Sequence, residues 1–166
     1  MLEARDISEY KVELMQENFN RCHLNKAKAV AWDALEPDER WLGQADVVIA
    51  DIPCSGLGVI GRKRDIKYKM TPQAVQDIVE LQEKILKVAA SYVKKGGKLL
   101  FSTCTVNKDE NEAHVKWIQD TLKMTPVSLN GTLPGLVHSP TTQQGFVQLI
   151  PGMQDTDGFF ISVFEK

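Results

Sequence analysis

The stretch ADVVIADIPCSGLG, residues 45–58, decides the fold of this chain. It contains four consecutive apolar residues, VVIA at 47–50, which are rich in β-branching. Such a run predicts a strand that is buried on both faces. The run ends at Asp51, and a proline, a cysteine and glycines follow at once. A carboxylate and a thiol therefore come directly after the carboxyl end of a strand.

A second strand is predicted in KLLFSTCT, residues 98–105. A long helix separates the two strands. Thr71 caps it, Pro72 occupies its first turn, and an amphipathic stripe runs on to Val93. We expect KKGG at 94–97 to end the helix. A strand, a helix and a strand in this order predict a parallel sheet that is covered on both sides.

The remaining segments complete an α/β pattern. One helix is predicted from a cap at Ser8 to about Asn20 or Cys22, and another from Glu110 to about Lys123. The second has Val115, Ile118 and Leu122 on its buried side. Prolines and glycines, among them Pro134 and Gly135, then break the chain repeatedly. Residues 146–150 and 159–164 predict a closing antiparallel pair of strands.

Ligands of open α/β sheets bind beyond the carboxyl ends of the strands. Parallel neighbours bring those ends to one rim. Asp51 and Cys54 after the first strand should therefore meet Cys104 after the second, although about fifty residues separate them. This convergence predicts a candidate site with two thiols and a carboxylate.

Composition limits the alternatives. The 166 residues fit one domain, and the net charge of -2 argues weakly against a non-specific nucleic-acid binder. We see neither a membrane-spanning run nor a signal peptide, and therefore expect no membrane partner. Three cysteines without a Cys-x-x-Cys pair predict free thiols in a reducing compartment, here the cytoplasm. The histidines are scattered, so we expect no metal site.

The two thiol motifs, DIPCSGLG at 51–58 and STCT at 102–105, resemble those of bacterial RNA cytosine-5 methyltransferases. They look closest to the Sun family (also called RsmB or Fmu), which modifies small-subunit ribosomal RNA. The likeness covers nearly the whole chain and includes DIKY at 65–68, KKGG at 94–97, ENE at 110–112 and DGFF at 157–160. It implies that residues 1–166 are part of a Rossmann-like class I methyltransferase domain that uses S-adenosylmethionine.

The resemblance also implies roles for the thiol site. Carbon 5 of cytosine is a poor nucleophile until a thiolate adds at carbon 6. In the family that thiolate is the cysteine after threonine, here Cys104. The cysteine of the Pro-Cys motif, here Cys54, assists release of the methylated product. Asp51 contacts the base, would stabilise its developing charge, and lies near the transferred methyl.

Two further aspartates are candidates for cofactor binding. Asp6 follows what could be the end of a strand, where a carboxylate suits ribose hydroxyls. Asp33 matches the family position that contacts the adenine. Either aspartate alone could simply cap a helix.

The basic segment, defined here as residues 61–69, is the predicted RNA surface. It has five cations and one anion, and Tyr68 is available for stacking. Its candidate RNA-binding residues are Arg62, Lys63, Arg64 and Lys67. The family usually has proline at the position of Arg64. A segment of this composition could also be a plain solvated loop.

A glycine-rich loop should lie about twenty residues before Asp6, yet the first glycine is Gly43. The first strand of the fold and an N-terminal NusB-like domain are likewise missing from the 166 residues. We therefore expect this chain to be a fragment that binds S-adenosylmethionine poorly and is inactive alone. Loss of a central strand should leave two unpaired edges and could favour a dimer.

Two other functions remain open at this stage. A DNA cytosine-5 methyltransferase would use Cys54 as its nucleophile, which the STCT motif disfavours. A non-catalytic RNA-binding or assembly module is a different class, and the missing glycine loop favours it for this chain alone. Outside the motifs, we expect Cys22 to be a buried thiol and His114 to be an exposed helical residue. Within the first motif, Gly56 and Gly58 could be ordinary turn glycines.

Overall fold

The computed structural model describes residues 1–132 and 140–166, so Pro134 and Gly135 lie outside the described residues. Two compact units, Met1–Asp38 and Glu39–Lys166, make up the chain. The strands are β1 (Leu2–Asp6), β2 (Ala27–Ala31), β3 (Ala45–Asp51), β4 (Val93–Thr103), β5 (Thr125–Pro126), β6 (Phe146–Leu149) and β7 (Phe159–Glu165). The helices are α1 (Glu9–Arg21), α2 (Ile66–Lys69), α3 (Pro72–Tyr92), α4 (Glu112–Leu122) and α5 (Pro140–Gln143).

The first unit is a β1–α1–β2 crossover. Its two strands pair in parallel, from Leu2 opposite Ala27 to Asp6 opposite Ala31. Helix α1 begins after Ser8, as predicted, although the Ser8 side chain forms no capping hydrogen bond. The expectation of a buried Cys22 is wrong, because the helix ends at Arg21 and the thiol is exposed beyond it.

The second unit is built on a mixed sheet with strand order β3-β4-β7-β5, and β6 also pairs with β7. Strands β3 and β4 are parallel, whereas β7 runs antiparallel to β4, β5 and β6. The predicted parallel pair and the predicted C-terminal antiparallel pair are therefore both confirmed.

Helices α3 and α4 cover one face of this sheet. Thr71 caps α3 by accepting a hydrogen bond from the Ala74 amide at 3.1 Å, and Pro72 opens the helix. The buried stripe of α3 then packs on the strands. The apolar core of the unit includes Ala50, Ile85, Leu86, Ala89, Val93, Leu99, Phe101, Val115, Ile118, Phe160 and Phe164.

The opposite face of β3 contradicts the sequence prediction. Val47 and Ile49 are 57% and 69% exposed, so β3 is not buried on both faces. Helix α3 packs on the face that carries Val48 and Ala50. Successive side chains of a strand alternate between faces, which leaves Val47 and Ile49 on the uncovered side.

The end of α3 also differs from its prediction. The helix stops at Tyr92, and residues 93–97 belong to β4 rather than to a helix cap. Val93 is fully buried and pairs with Ala45. A β-carbon on Gly97 would lie 2.9 Å from the Asp46 carbonyl oxygen, so this glycine permits a close approach of two strands.

Strand edges remain without partners in the described part of the chain. There, β3 pairs with β4 alone, and β1 pairs with β2 alone. The dimer expected from such edges stays a prediction. Among the same residues, no helix is long and apolar enough to cross a membrane.

Candidate active site

The carboxyl ends of β3 and β4 form the floor of the site. Asp51 lies opposite Ser102 in the parallel register, and the Ser102 hydroxyl donates to Asp51 Oδ1 at 3.0 Å. This hydrogen bond fixes one carboxylate oxygen while the Asp51 side chain stays exposed at the rim. The predicted convergence of the two strand ends is confirmed.

Two thiols meet above this floor. The Sγ atoms of Cys54 and Cys104 are 3.1 Å apart, and both side chains are half-buried. Burial, together with the neighbouring Cys104 sulfur, raises the pKa of the Cys54 thiol well above its ordinary value. Cys54 is therefore a neutral thiol at neutral pH, able to donate a hydrogen bond to the sulfur of Cys104.

A buried carboxylate links the residues that follow the two thiols. Glu110 Oε2 accepts from the Ser55 amide at 2.8 Å, and Glu110 Oε1 accepts from the Ser55 hydroxyl. The hydroxyl of Thr105 lies 2.8 Å from that of Ser55 and 3.3 Å from Glu110 Oε1. All three side chains are buried.

Gln82 on α3 extends this network to the other side of Cys54. Its amide nitrogen donates to the Pro53 carbonyl at 2.8 Å and to Glu110 Oε2 at 3.1 Å. Its oxygen faces His114 Nε2 at 2.8 Å, so that ring nitrogen carries the hydrogen. His114 is buried, which corrects the expectation of an exposed helical residue. Burial lowers its pKa to about 4 and keeps the ring neutral.

Asn111 holds both neighbours of Cys104. Its Oδ1 accepts from the Thr103 hydroxyl at 2.6 Å, and its Nδ2 donates to the Thr105 carbonyl at 3.0 Å. The same Nδ2 donates to Gln148 Oε1 at 2.7 Å. Because Gln148 lies on β6, the loop that carries Cys104 is anchored to the C-terminal strands.

Two glycines allow three loops to meet at the site. The Gly58 amide donates to the Cys104 carbonyl at 3.1 Å, and the Gly158 amide donates to the Gly58 carbonyl at 2.8 Å. A β-carbon on Gly58 would lie 2.5 Å from the Gly158 oxygen and 2.8 Å from the Cys104 oxygen. Gly58 therefore serves a close backbone contact beyond the ordinary turn that its sequence suggested.

The basic segment is exposed, and part of it is already ion-paired. Arg62 contacts Asp157 at 2.9 Å, and Lys69 contacts Asp65 at 2.6 Å. The Lys67 ammonium lies 4.8 Å from the centre of the Tyr68 ring. Lys63 and Arg64 are exposed as well. The segment is placed as predicted, directly after the loop that carries Cys54, while its RNA contacts stay a prediction.

Asp6 and Asp33 belong to the first unit. Asp6 ends β1, and Asp33 follows β2 two residues after Ala31, the strand partner of Asp6. Asp6 accepts from the Ser8 amide at 2.9 Å and pairs with Lys11 at 3.1 Å. These contacts, the amide first, lower the pKa of Asp6 despite an opposing effect of burial. Asp33 accepts from the Leu35 amide at 2.9 Å.

Comparison with known proteins identifies the family. A family model described as 16S rRNA methyltransferase RsmB/F matches residues 1–165. The chain belongs to this family. It is 38% identical over 164 residues to the probable ribosomal RNA small subunit methyltransferase B of Bacillus subtilis (strain 168), covering 97% of this chain and 36% of that protein. The family resemblance inferred from the motifs is thereby confirmed.

Two further comparisons agree. The chain is 28% identical over 165 residues to ribosomal RNA small subunit methyltransferase F of Escherichia coli O7:K1, with 98% and 34% of the two proteins covered. A solved methyltransferase homologue from Pyrococcus horikoshii superposes with a TM-score of 0.79 at 25% identity, over 99% of this chain and 52% of the other. The α/β methyltransferase fold is confirmed, and the chain spans about a third of the length of these curated relatives.

Four residues around the two thiols were missed by the roles assigned from sequence: Gln82, Glu110, Asn111 and His114. Glu110 and Asn111 stand in a motif that carried the resemblance, but nothing in the motif says what they hold. A spacing signal existed for Gln82, which lies three, four and seven residues before Ile85, Leu86 and Ala89. That spacing puts an amide on the buried stripe of α3.

Proposed function

We propose that this chain carries the thiol site of an S-adenosylmethionine-dependent RNA cytosine-5 methyltransferase that acts on small-subunit ribosomal RNA. One observation carries the proposal: the Cys54 and Cys104 sulfurs lie 3.1 Å apart at the ends of two parallel strands. Two cysteines at one site suit a reaction that first forms and then breaks a bond between sulfur and the base.

Cys104 is the proposed nucleophile. Its thiolate adds to carbon 6 of the cytosine, and the electron pair of the carbon 5–carbon 6 double bond makes carbon 5 nucleophilic. The neutral Cys54 thiol beside it donates a hydrogen bond to the Cys104 sulfur and helps to hold the negative charge there. Burial raises the pKa of Cys54 and keeps it a thiol, whereas the attacking group must be a thiolate. This disfavours the DNA-type mechanism.

Cys54 is the proposed base for release. Burial is the largest cause of the raised pKa of Cys54 and persists in the adduct, whereas the contribution of the Cys104 sulfur ends once Cys104 has become a neutral thioether. Cys54 then loses its proton to solvent and takes the proton from carbon 5. The electron pair of that bond restores the carbon 5–carbon 6 double bond, and the electrons of the carbon–sulfur bond return to Cys104. The cycle ends with a Cys54 thiol and a Cys104 thiolate.

Asp51 is the proposed contact to the base. Its carboxylate is exposed at the rim, next to the thiols in the chain, and one of its oxygens is held by Ser102. A carboxylate fixed in this way can accept from the exocyclic amine of cytosine and stabilise the ring while its charge changes.

The residues of the first unit fit a cofactor that bears hydroxyls and an amine. Asp6 and Asp33 place carboxylates after the carboxyl ends of two neighbouring parallel strands, where ligands of such sheets bind. We propose that Asp6 holds ribose hydroxyls and that Asp33 contacts the adenine. When bound, S-adenosylmethionine supplies the methyl group as an electrophile.

The test uses the full-length protein with methyl-labelled cofactor and unmodified small-subunit RNA. We expect Cys104→Ala to abolish both methyl transfer and the covalent adduct of protein and RNA. Cys54→Ala should form an adduct that persists in denaturant. Cys22→Ala removes an exposed thiol and is the matched control, with activity unchanged.

Other outcomes favour the alternatives. Adduct formation that needs Cys54 and not Cys104 would exchange their roles, as in the DNA-type mechanism. RNA binding without methyl transfer by the unaltered protein would favour a binding or assembly module. The 166-residue chain is titrated separately with S-adenosylmethionine in a calorimeter. Weak or undetectable binding is expected, because no glycine precedes Gly43 in it.

A further inference from the structure

The Glu110 side chain occupies an unusual position for a carboxylate. It is fully buried, and its donors among the described residues are the Ser55 amide, the Ser55 hydroxyl, the Thr105 hydroxyl and the Gln82 amide. None of these donors is cationic. Burial of a carboxylate without a cation is costly, and neutral donors offset the cost only when they are well placed. The network is therefore sensitive to a change of charge or shape at this one residue.

The four donors lie next to the chemistry. Ser55 directly follows Cys54, and Thr105 directly follows Cys104. The parallel ladder of β3 and β4 ends at Asp51 and Ser102, before either thiol is reached. Beyond that point the two loops are tied by Glu110, by the contact of the Ser55 and Thr105 hydroxyls at 2.8 Å, and by the Gly58 amide on the Cys104 carbonyl. The Glu110 carboxylate contacts both of these hydroxyls, and so one side chain holds a residue of each loop.

The network also fixes the orientation of the Cys54 loop. Gln82 holds the Pro53 carbonyl and Glu110 holds the Ser55 amide, so both residues that flank Cys54 are anchored. His114 occupies the oxygen of Gln82 and thereby directs the amide nitrogen toward Glu110. Buried polar groups from α3, from α4 and from the segment before α4 together position the loop that carries Cys54.

We infer that Glu110 is a positioning residue that sets the separation of the two thiols. The inference deepens the proposed function and rests on it for its catalytic consequence. Addition of Cys104 to the base needs one thiol, whereas release needs Cys54 within reach of the adduct on Cys104. Loss of the Glu110 contacts therefore slows release more than addition, and the covalent adduct accumulates.

The experiment compares Glu110→Gln with Glu112→Gln in the full-length protein. Glu112 is exposed two residues away and provides the same chemical change outside the network. The first readout, the thiol link, needs no RNA and is the rate at which a Cys54–Cys104 disulfide forms. Diamide oxidises the two thiols and is itself reduced to the hydrazine, and mass spectrometry follows the disulfide over time. The second readout is the lifetime of the adduct with RNA in a single turnover.

Glu110→Gln should slow the thiol link about tenfold and lengthen the adduct lifetime about tenfold, since displacements near 1 Å cost up to about a hundredfold in such geometry. Glu112→Gln should match the unaltered protein in both. A folded Glu110→Gln protein with an unchanged link rate and adduct lifetime overturns the inference. Should Glu110→Gln fail to fold, Ser55→Ala is the second variant, because it removes one hydroxyl donor to the Glu110 carboxylate. An unchanged link rate in Ser55→Ala also overturns the inference.

The two readouts separate this inference from the proposed function. A slower thiol link in Glu110→Gln, with no adduct in any variant or in the unaltered protein, supports the positioning role and counts against the covalent mechanism. A normal adduct in the unaltered protein, with an unchanged link rate in Glu110→Gln, supports the mechanism and removes Glu110 from it.

Discussion

The thiol loops and the basic segment follow one another in the chain, yet they are held in opposite ways. Cys54 stands between residues anchored by the buried side chains of Gln82 and Glu110. Residues 61–65 and 67–69 of the basic segment are exposed, and their side-chain contacts include ion pairs at the surface. Buried hydrogen bonds fix positions to fractions of an ångström, whereas exposed charges act over distance and contribute little to stability. Substitutions in the thiol loops should therefore affect stability and methyl transfer, whereas substitutions in the basic segment should affect RNA binding.

The largest effect is expected at Gly58. Gly58→Ala places a methyl group 2.5 Å from the Gly158 carbonyl oxygen, so one of the backbones must move. We expect a loss of about 2 kcal/mol in unfolding free energy, as is typical of overpacking, and about a hundredfold loss of methyl transfer. Urea unfolding and a single-turnover assay would measure the two.

Gly61→Ala is the control for that substitution. Its added methyl meets no atom within 4 Å, although it lies three residues away at the start of the basic segment. Equal effects of the two substitutions would show that the close contact at Gly58 is not what limits the site.

A smaller effect is expected from pH. Burial lowers the pKa of His114 to about 4, whereas an unfolded histidine titrates near its ordinary value of 6.5. Between these values the unfolded chain binds a proton that the folded chain does not, so stability falls as pH drops from 6.5 to 4. The difference is about 3 kcal/mol at most.

Unfolding measured across this pH range in the unaltered protein, in His114→Gln and in His23→Asn would isolate that contribution. The slope should flatten in His114→Gln. It should persist in His23→Asn, because His23 is exposed. Identical slopes in all three proteins would mean that folding does not lower the pKa of His114.

The smallest effect is expected in the basic segment. Lys63→Gln with Arg64→Gln should leave unfolding unchanged and weaken RNA binding by about tenfold at low salt, with a salt dependence that is less steep by about two charges. Lys84→Gln removes an exposed cation from α3 and should change neither. RNA-binding curves at three salt concentrations measure this dependence. An unchanged salt dependence in the double variant would indicate that the segment is a solvated loop without RNA contacts.

Sequence alone predicted the features that depend on local pattern. The β-branched run at 47–50 and the cap at Thr71 indicated a strand and a helix that the structure contains. Parallel pairing then followed from their order, and it brought Cys54 and Cys104 together. The resemblance supplied chemical roles for these residues that no periodicity could give.

The features that failed depend on what packs against what. His114 was expected to be exposed because histidine is polar, yet it lies four residues before the buried Ile118 on the same face of α4. Val47 and Ile49 were expected to be buried because they are apolar, yet no described helix of this unit covers their side. Glu110 escaped notice because its partner Ser55 is 55 residues away.

The glycine contact also determines when the site is complete during synthesis. Gly58, Cys104 and Gly158 meet through backbone atoms, although roughly fifty residues separate each from the next. Strand β7 pairs with β4, β5 and β6, and it follows all of them in the chain. A nascent chain that ends before Gly158 can pair β3 with β4, but it lacks the residue that packs on the Gly58 loop. The thiol loops therefore gain their final support only after β7 has been made.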